Sequence, residues 1–461
     1  MKITKKTLFL VMIVCLVSVQ FVSAGAEGES GSSGPSIGMT FDEPVTLVQQ
    51  TWFPTQGVQD EQMAIWNKKF PNITVERQTF SYADHITTLK TAFSAGAKAG
   101  PGIAAYQPGG MIADYTQFLE PLAPWAEAEW GPDWQDQFVG AANEQVEWTG
   151  KEYYMLPQGM SFTGLWANKR LLDKYGLAIP ENLDDLKKIR DTLSKDDLIT
   201  LGIGLKNNWP AQDLFFIILD DYAPGLFYEA EAGNASMDDP RVVEALEMYK
   251  YLLDSEIINP GAYGSAHYMD LLEPFQQGKA ALLLNGHWHI SSVFLNNLNI
   301  SDSQVGGFVP LVFPDLNGNG KNPRAQISMG GGFGINNSLS DYEKAAAWEF
   351  VKFIVTGEGQ QIIIDAFSHI SAYTALSPAE ASLRKTLDIW TGAPESMVDE
   401  FKASNQWYVD NADSNTQGPR EPQGAETKAA IYELLANVAL GEQTPEEAAK
   451  YLAEVMEAEQ K

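Results

Sequence analysis

Short β-prone runs and helically spaced apolar residues take turns along the first part of this chain, and few architectures accept that order. Val45-Thr46-Leu47-Val48 follows Pro44 as a strand-like run. Met63, Trp66 and Phe70 then recur at i, i+3 and i+7, one face of a helix. Ile73-Thr74-Val75 is strand-like again, Ile86, Leu89 and Phe93 repeat the helical spacing, and Ile103-Ala104-Ala105-Tyr106 reads as a third strand. Strand and helix alternating in this way predict an α/β fold with a parallel sheet. Later helices carry explicit start signals. Asp239 precedes Pro240 ahead of Val242, Leu246, Tyr249 and Leu253, while Ser340 with Glu343 and Thr444 with Glu447 are spaced as capping boxes.

The N-terminus has a different character. Lys2, Lys5 and Lys6 precede an apolar run from Leu8 to Val19, and Val22-Ser23-Ala24 supplies a small-residue cleavage pattern. Residues 1–24 therefore read as a secretory signal peptide, and the Gly-, Ser- and Glu-rich residues 25–39 as a flexible tether. Cys15 lies inside the apolar run and follows the branched Val14, which argues against lipid anchoring. It is also the sole cysteine, so an exported chain would be held by its core and not by disulfides. The formal charge of −29 becomes −32 once the three lysines are removed with the signal. Such a surface repels nucleic acid and anionic lipid head groups, and neither is expected as a partner.

Several segments, in order, resemble the extracellular solute-binding proteins of the maltose-binding family, which serve ABC importers. Phe70-Pro71-Asn72-Ile73-Thr74-Val75-Glu76, followed by Tyr82 and the small-residue stretch Ala92 to Gly100, is similar to one family segment. Gly150 to Pro157 resembles a crossover, and Leu165 to Leu172 with Tyr175-Gly176-Leu177 resembles the stretch after it. Phe275 to Ala281, Asn285-Gly286-His287-Trp288, Gly331 to Asn336 and Ala347 to Phe353 complete the series. Gly102 stands where an acidic residue is usual, and Ala167 where an aromatic is common. The resemblance implies a two-lobed periplasmic-binding-protein fold with a ligand cleft between lobes joined by a multi-crossing hinge. It assigns residues 40–155 and 325–372 to one lobe and 156–324 and 373–461 to the other. It implies a monomeric, non-enzymatic, cofactor-free receptor outside the cytoplasm. That receptor would pass a small carbohydrate to ABC importer membrane subunits.

A sugar ring has apolar faces and a hydroxyl rim, so its site needs an aromatic plate and planar hydrogen-bonding groups. Ligands of open parallel sheets sit beyond the carboxyl ends of strands. Trp52 and Tyr106 lie at two such ends, Trp209 precedes a proline in a polar loop, and Trp288 follows Asn285-Gly286; these four are the candidate plates. Gln107, Gln158, Ser161 and Asp213 are candidates for the polar rim. Gly331, with Gly330 and Gly332 around it, permits close backbone approach, and Phe333 adjoins it.

Two metal patterns are weaker. His287 and His289 alternate about Trp288 without a third ligand pattern beyond His267. Asp315, Asn317 and Asn319 match the first half of a calcium loop, but Gln326 occupies the position of the bidentate glutamate and Pro323 interrupts the second half. An ordinary turn is expected there. The competing functions are an exported glycoside hydrolase, for which no carboxylate pair stands in a recognisable context, and a receptor for a phosphorylated polyol, polyamine or metal. Lys90, Arg324 and Arg420 are too scattered to make a phosphate site.

Overall fold

In the computed structural model the residues described are 35–54, 56–140, 142–143, 147–148, 152–287, 307–320, 324–367, 370–376, 403–404, 407 and 422–460. The strands are β1 (Val45–Thr51), β2 (Ile73–Thr79), β3 (Ile103–Tyr106), β4 (Glu147–Trp148), β5 (Glu152–Tyr153), β6 (Leu156–Asn168), β7 (Ile199–Gly202), β8 (Ala280–Gly286), β9 (Phe308–Leu311), β10 (Gln326–Ile335) and β11 (Ile370–Ser371). β1 pairs in parallel with β2 and with β3, as the alternating sequence predicts. The helices expected between them span Gln56–Lys69 and Tyr82–Ser94, burying Trp66 in the first and Leu89 and Phe93 in the second. The three helix starts also form. Asp239 Oδ1 accepts from the Arg241 amide at 2.8 Å, and both capping boxes close reciprocally.

One sheet carries all strands except the β4–β5 ribbon, in the order β2-β1-β3-β10-β6-β8-β7, with β9 and β11 also on β6. β6 is its spine. Over 13 residues, all buried, its first part pairs antiparallel with β10 and its second with β8 and β9. Two apolar cores flank this spine. The first gathers Leu47, Trp66, Leu89, Ile103, Trp348 and Phe350. The second gathers Leu214, Phe215, Leu246, Leu282, Ile431 and Leu452. Side chains alternate across a strand, so Phe162 and Trp166 of β6 join the first core while Leu165 and Ala167 join the second.

Glycines let β10 lie against β6. A Cβ on Gly332 would meet the backbone of Leu156, its carbonyl carbon at 3.0 Å, and the Met329 Cε at 2.8 Å. Backbone cannot rotate away as a side chain can. Gly332→Ala is therefore expected to lower unfolding free energy by about 1–3 kcal/mol, the usual range for overpacking, measurable by guanidinium denaturation.

Candidate functional site

The strand register places the site. β1 and β3 run parallel, and Tyr106, at the carboxyl end of β3, pairs with Gly332 of β10. Gly331 in turn pairs with Gly159 of β6. On the other side β7 and β8 run parallel, and Gly286, at the carboxyl end of β8, pairs with Thr163 of β6. The carboxyl ends of both parallel sets thus face each other across residues 159–163 of one strand. The four residue steps from 159 to 163 rise about 13 Å.

On the first side Trp52 follows β1, half-buried, with its indole edge over Gly331. Gly331 has φ +148°, and a Cβ there would meet the Trp52 Cζ2 at 3.3 Å. Only glycine combines that backbone with that clearance. Tyr82 and His85 hold the indole edge-on, with centroids 5.3 and 4.9 Å away. The Tyr82 hydroxyl also donates to Gln107 Oε1. His85 is buried, with Nε2 2.9 Å from the Ala105 carbonyl and Nδ1 3.3 Å from Gln50 Nε2. The carbonyl can only accept, so Nε2 carries the proton and Nδ1 accepts from Gln50. Burial lowers the pKa of this imidazole below its usual value, against the opposing pull of the Ala105 bond. The ring is a neutral strut.

At the crossing, Gln158 and Ser161 are both 8% exposed. The Gln158 carbonyl accepts from Gln360 Nε2 at 2.8 Å, while its own side-chain Nε2 has no hydrogen-bond partner among the described residues. Ser161 Oγ fills the volume that a Gly330 Cβ would need. On the second side Trp209 opens the helix Asn208–Tyr222. Its ring meets His267 edge-on at 5.0 Å and stacks on Tyr268 at 5.8 Å and 29°. Asp213, one turn on, is buried and accepts from Thr163 Oγ1 at 2.8 Å.

A family model for bacterial extracellular solute-binding proteins matches residues 53–361. The chain belongs to that family. Among related proteins, an uncharacterized ABC transporter extracellular-binding protein of Pyrococcus horikoshii is 24% identical over 296 residues, 62% of this chain and 65% of the relative. The maltotriose-binding protein of Pyrococcus abyssi is 27% identical over 271 residues, 58% of this chain and 53% of the relative. The matched region thus spans less than two thirds of either relative. The solved structure of a chitin oligosaccharide binding protein superposes with a TM-score of 0.72 at 17% identity, covering 90% of this chain and 98% of that one. At that identity the likeness establishes the fold, the two-lobed α/β architecture of periplasmic solute-binding proteins. Members of the family act outside the cytoplasm, and they bind solutes.

Within this solute-binding fold the sequence candidates separate. The register brings Trp52, Gln107, Gln158, Ser161 and Gly331 to the crossing, with Trp209 and Asp213 on the side of β7 and β8. Tyr106 is a correction. β10 covers it, its ring packs 5.5 Å from Tyr115 and against Gly334, and it belongs to the core. Phe333 is likewise a core residue, paired with Ala105 and Leu156. Asp213 is better described as the acceptor fixing Thr163 than as an open rim group. Trp288 and His289 lie outside the described residues. His287 is buried, with Nδ1 accepting from the Phe162 amide at 3.2 Å. Sequence reasoning passed over Tyr82 and His85 as site residues. His85 sits on the inner face of an amphipathic helix, and no spacing rule separates a strut from a core histidine.

The Asp315 loop is an Asx-type turn. Asp315 Oδ1 and Oδ2 accept from the amides of Gly318 and Gly320, each at 2.8 Å. Asn317 Oδ1 accepts from the Asn319 amide at 2.9 Å. The nearby Asp221 carboxylate, whose pKa is raised to about 6 by burial, accepts from the amides of Leu316 and Asn317. The side-chain oxygens of Asp315 and Asn317 thus serve backbone amides, and no group of metal-ligating side chains occurs among the described residues. The melting temperature in excess calcium should equal that in chelator; a rise with calcium would restore the metal reading.

Proposed function

We propose that the chain is the substrate-binding component of an ABC importer and carries a carbohydrate in the cleft at residues 159–163 of β6. In this reading residues 40–155 with 325–372 and residues 156–324 with 373–461 are the two lobes. Residues 1–24 direct export, and the protein delivers its ligand without chemical turnover. The observation that carries the reading is the convergence of four strand ends on one crossing furnished with neutral groups. Trp52 offers an aromatic surface, while Gln107, Gln158 and Ser161 offer amides and a hydroxyl. The buried Gln158 amide is a donor that a ligand hydroxyl would satisfy. Ionic ligands would call for charge at these positions, and a glycosidase would need two opposed carboxylates; the Asp213 carboxylate, on the side of β7 and β8, is bonded to Thr163. The maltotriose and chitin oligosaccharide named for two similar proteins make oligosaccharides the first ligands to try.

Trp52→Ala should weaken maltotriose or chito-oligosaccharide binding by about 1–3 kcal/mol, the loss typical of an aromatic contact; the free protein should still fold, with a lower melting temperature because the half-buried indole packs against the first core. Unaltered affinity in titration calorimetry would remove Trp52 from the site. Incubation with the same sugars should release no shorter products, and their appearance would favour the hydrolase.

A ligand that touches both lobes adds contacts present only when they close. Moving the protein from mostly open to mostly closed takes roughly 5 kcal/mol of preference. Saturating ligand should therefore reduce the radius of gyration in small-angle scattering. Tight binding with an unchanged scattering curve would point to a rigid pocket.

A further inference from the structure

Away from the strand crossing, the two cores meet at a second place. The short helix Gly110–Ala113 and Tyr115 belong with the first core through Ile112 and Tyr115. The helices Leu226–Glu231, Ala425–Leu440 and Pro445–Glu459 belong with the second. The Gly110 amide donates to the Pro422 carbonyl at 2.8 Å. A Cβ on Gly110 would come within 3.3 Å of that oxygen, so the approach uses the bare backbone. Beside this bond lies a cavity of about 380 Å³, lined from the first side by Ala113 and Asp114 and from the second by Glu231, Gln423, Thr427 and Glu459 among others.

The charges around this cavity do not balance. Asp114, Glu231 and Glu459 line it, and among the described residues no lysine, arginine or histidine does. Glu459 has a structural task. Its two oxygens accept from the amides of Glu426 and Thr427 and from Thr427 Oγ1, capping the helix Ala425–Leu440, and its carboxylate fills the space beside Gly424. Glu231 keeps one bond, accepting from the Gln423 amide at 2.7 Å. Burial and the neighbouring Glu459 charge raise its pKa to about 7, with the Gln423 bond opposing them. The Tyr228 phenol lies within electrostatic reach of Glu231, and Gln460 donates to the backbone carbonyls of Ala230 and Glu231.

We propose that this junction is a proton-linked latch, in which a proton on Glu231 favours the closed arrangement of the two lobes. The inference rests on the lobe motion of the preceding reading but not on the identity of the ligand. Swinging Gly110–Asp114 away opens the cavity around Glu231 to water, which lowers its proton affinity. The group therefore binds its proton more tightly in the closed form. Closure takes up a proton as pH falls through neutrality and is opposed as pH rises above it. One proton taken up changes the closed-to-open ratio by at most about tenfold per pH unit.

Small-angle scattering of the ligand-free protein at pH 6 and pH 8 tests this. The wild type should be more compact at pH 6. Glu231→Gln should be compact at both. An unchanged wild-type radius, or a Glu231→Gln variant that follows the wild-type pH response, overturns the latch; the second result would assign the response to the general acidity of the chain. If Glu231→Gln does not fold, the wild-type measurement repeated in high salt decides, because salt screens the general acidity of the chain far more than a partly buried group; a pH response abolished by salt overturns the proposal. Compaction on adding maltotriose, without any pH response, would leave the carbohydrate reading standing while the latch fails.

Discussion

The architecture depends on one ladder of backbone hydrogen bonds, the antiparallel pairing of β6 with β10 at one end and with β8 at the other. Every residue of β6 is buried, so each of its amides and carbonyls must find a partner or incur the cost of desolvation. Because one strand serves both parts, its register decides how the two parallel sets face each other. Slipping β6 by a single residue would exchange Phe162 and Trp166 with Leu165 and Ala167 between two cores. That penalty fixes the alignment of the cleft.

Around this ladder the polar groups follow a consistent rule. Those that hold the scaffold are paired inward: Thr163 with Asp213, His287 with the Phe162 amide, His85 with Ala105 and Gln50. Those at the crossing are neutral and less fully engaged, Gln158 among them. Rigid pairing behind a site lets the facing groups meet a ligand without first being ordered, which lowers the entropic cost of binding. The glycines act in the same direction. Gly330 and Gly331 make space for Ser161 and Trp52, so the backbone of β10 itself comes close to the site.

Much of the scaffold was legible because its signals are local. The alternation of Val45–Val48, Trp66, Ile73–Val75 and Leu89 encodes parallel pairing through burial periodicity, and the capping residues at Asp239, Ser340 and Thr444 act within one turn. Residues 156–168 were harder. They contain Pro157, Gly159 and Gly164, which argue against a strand by propensity. Pairing on both sides and burial on both faces outweigh that preference, and neither can be seen from within the segment.

The candidate site divides in the same manner. Sequence by itself determined the α/β class, the aromatic and amide inventory, the acidic balance that disfavours nucleic acid, and the placing of Trp52 after a parallel strand. Tertiary structure alone decided that Tyr106 and Phe333 are core residues and that Tyr82 and His85 support Trp52. It also brought Asp114 to the cavity that holds Glu231 and Glu459. The reason is physical. Burial periodicity and capping depend on neighbours a few residues away, whereas which face of a ring is covered, and which charge lies opposite another, depends on segments tens to hundreds of residues apart.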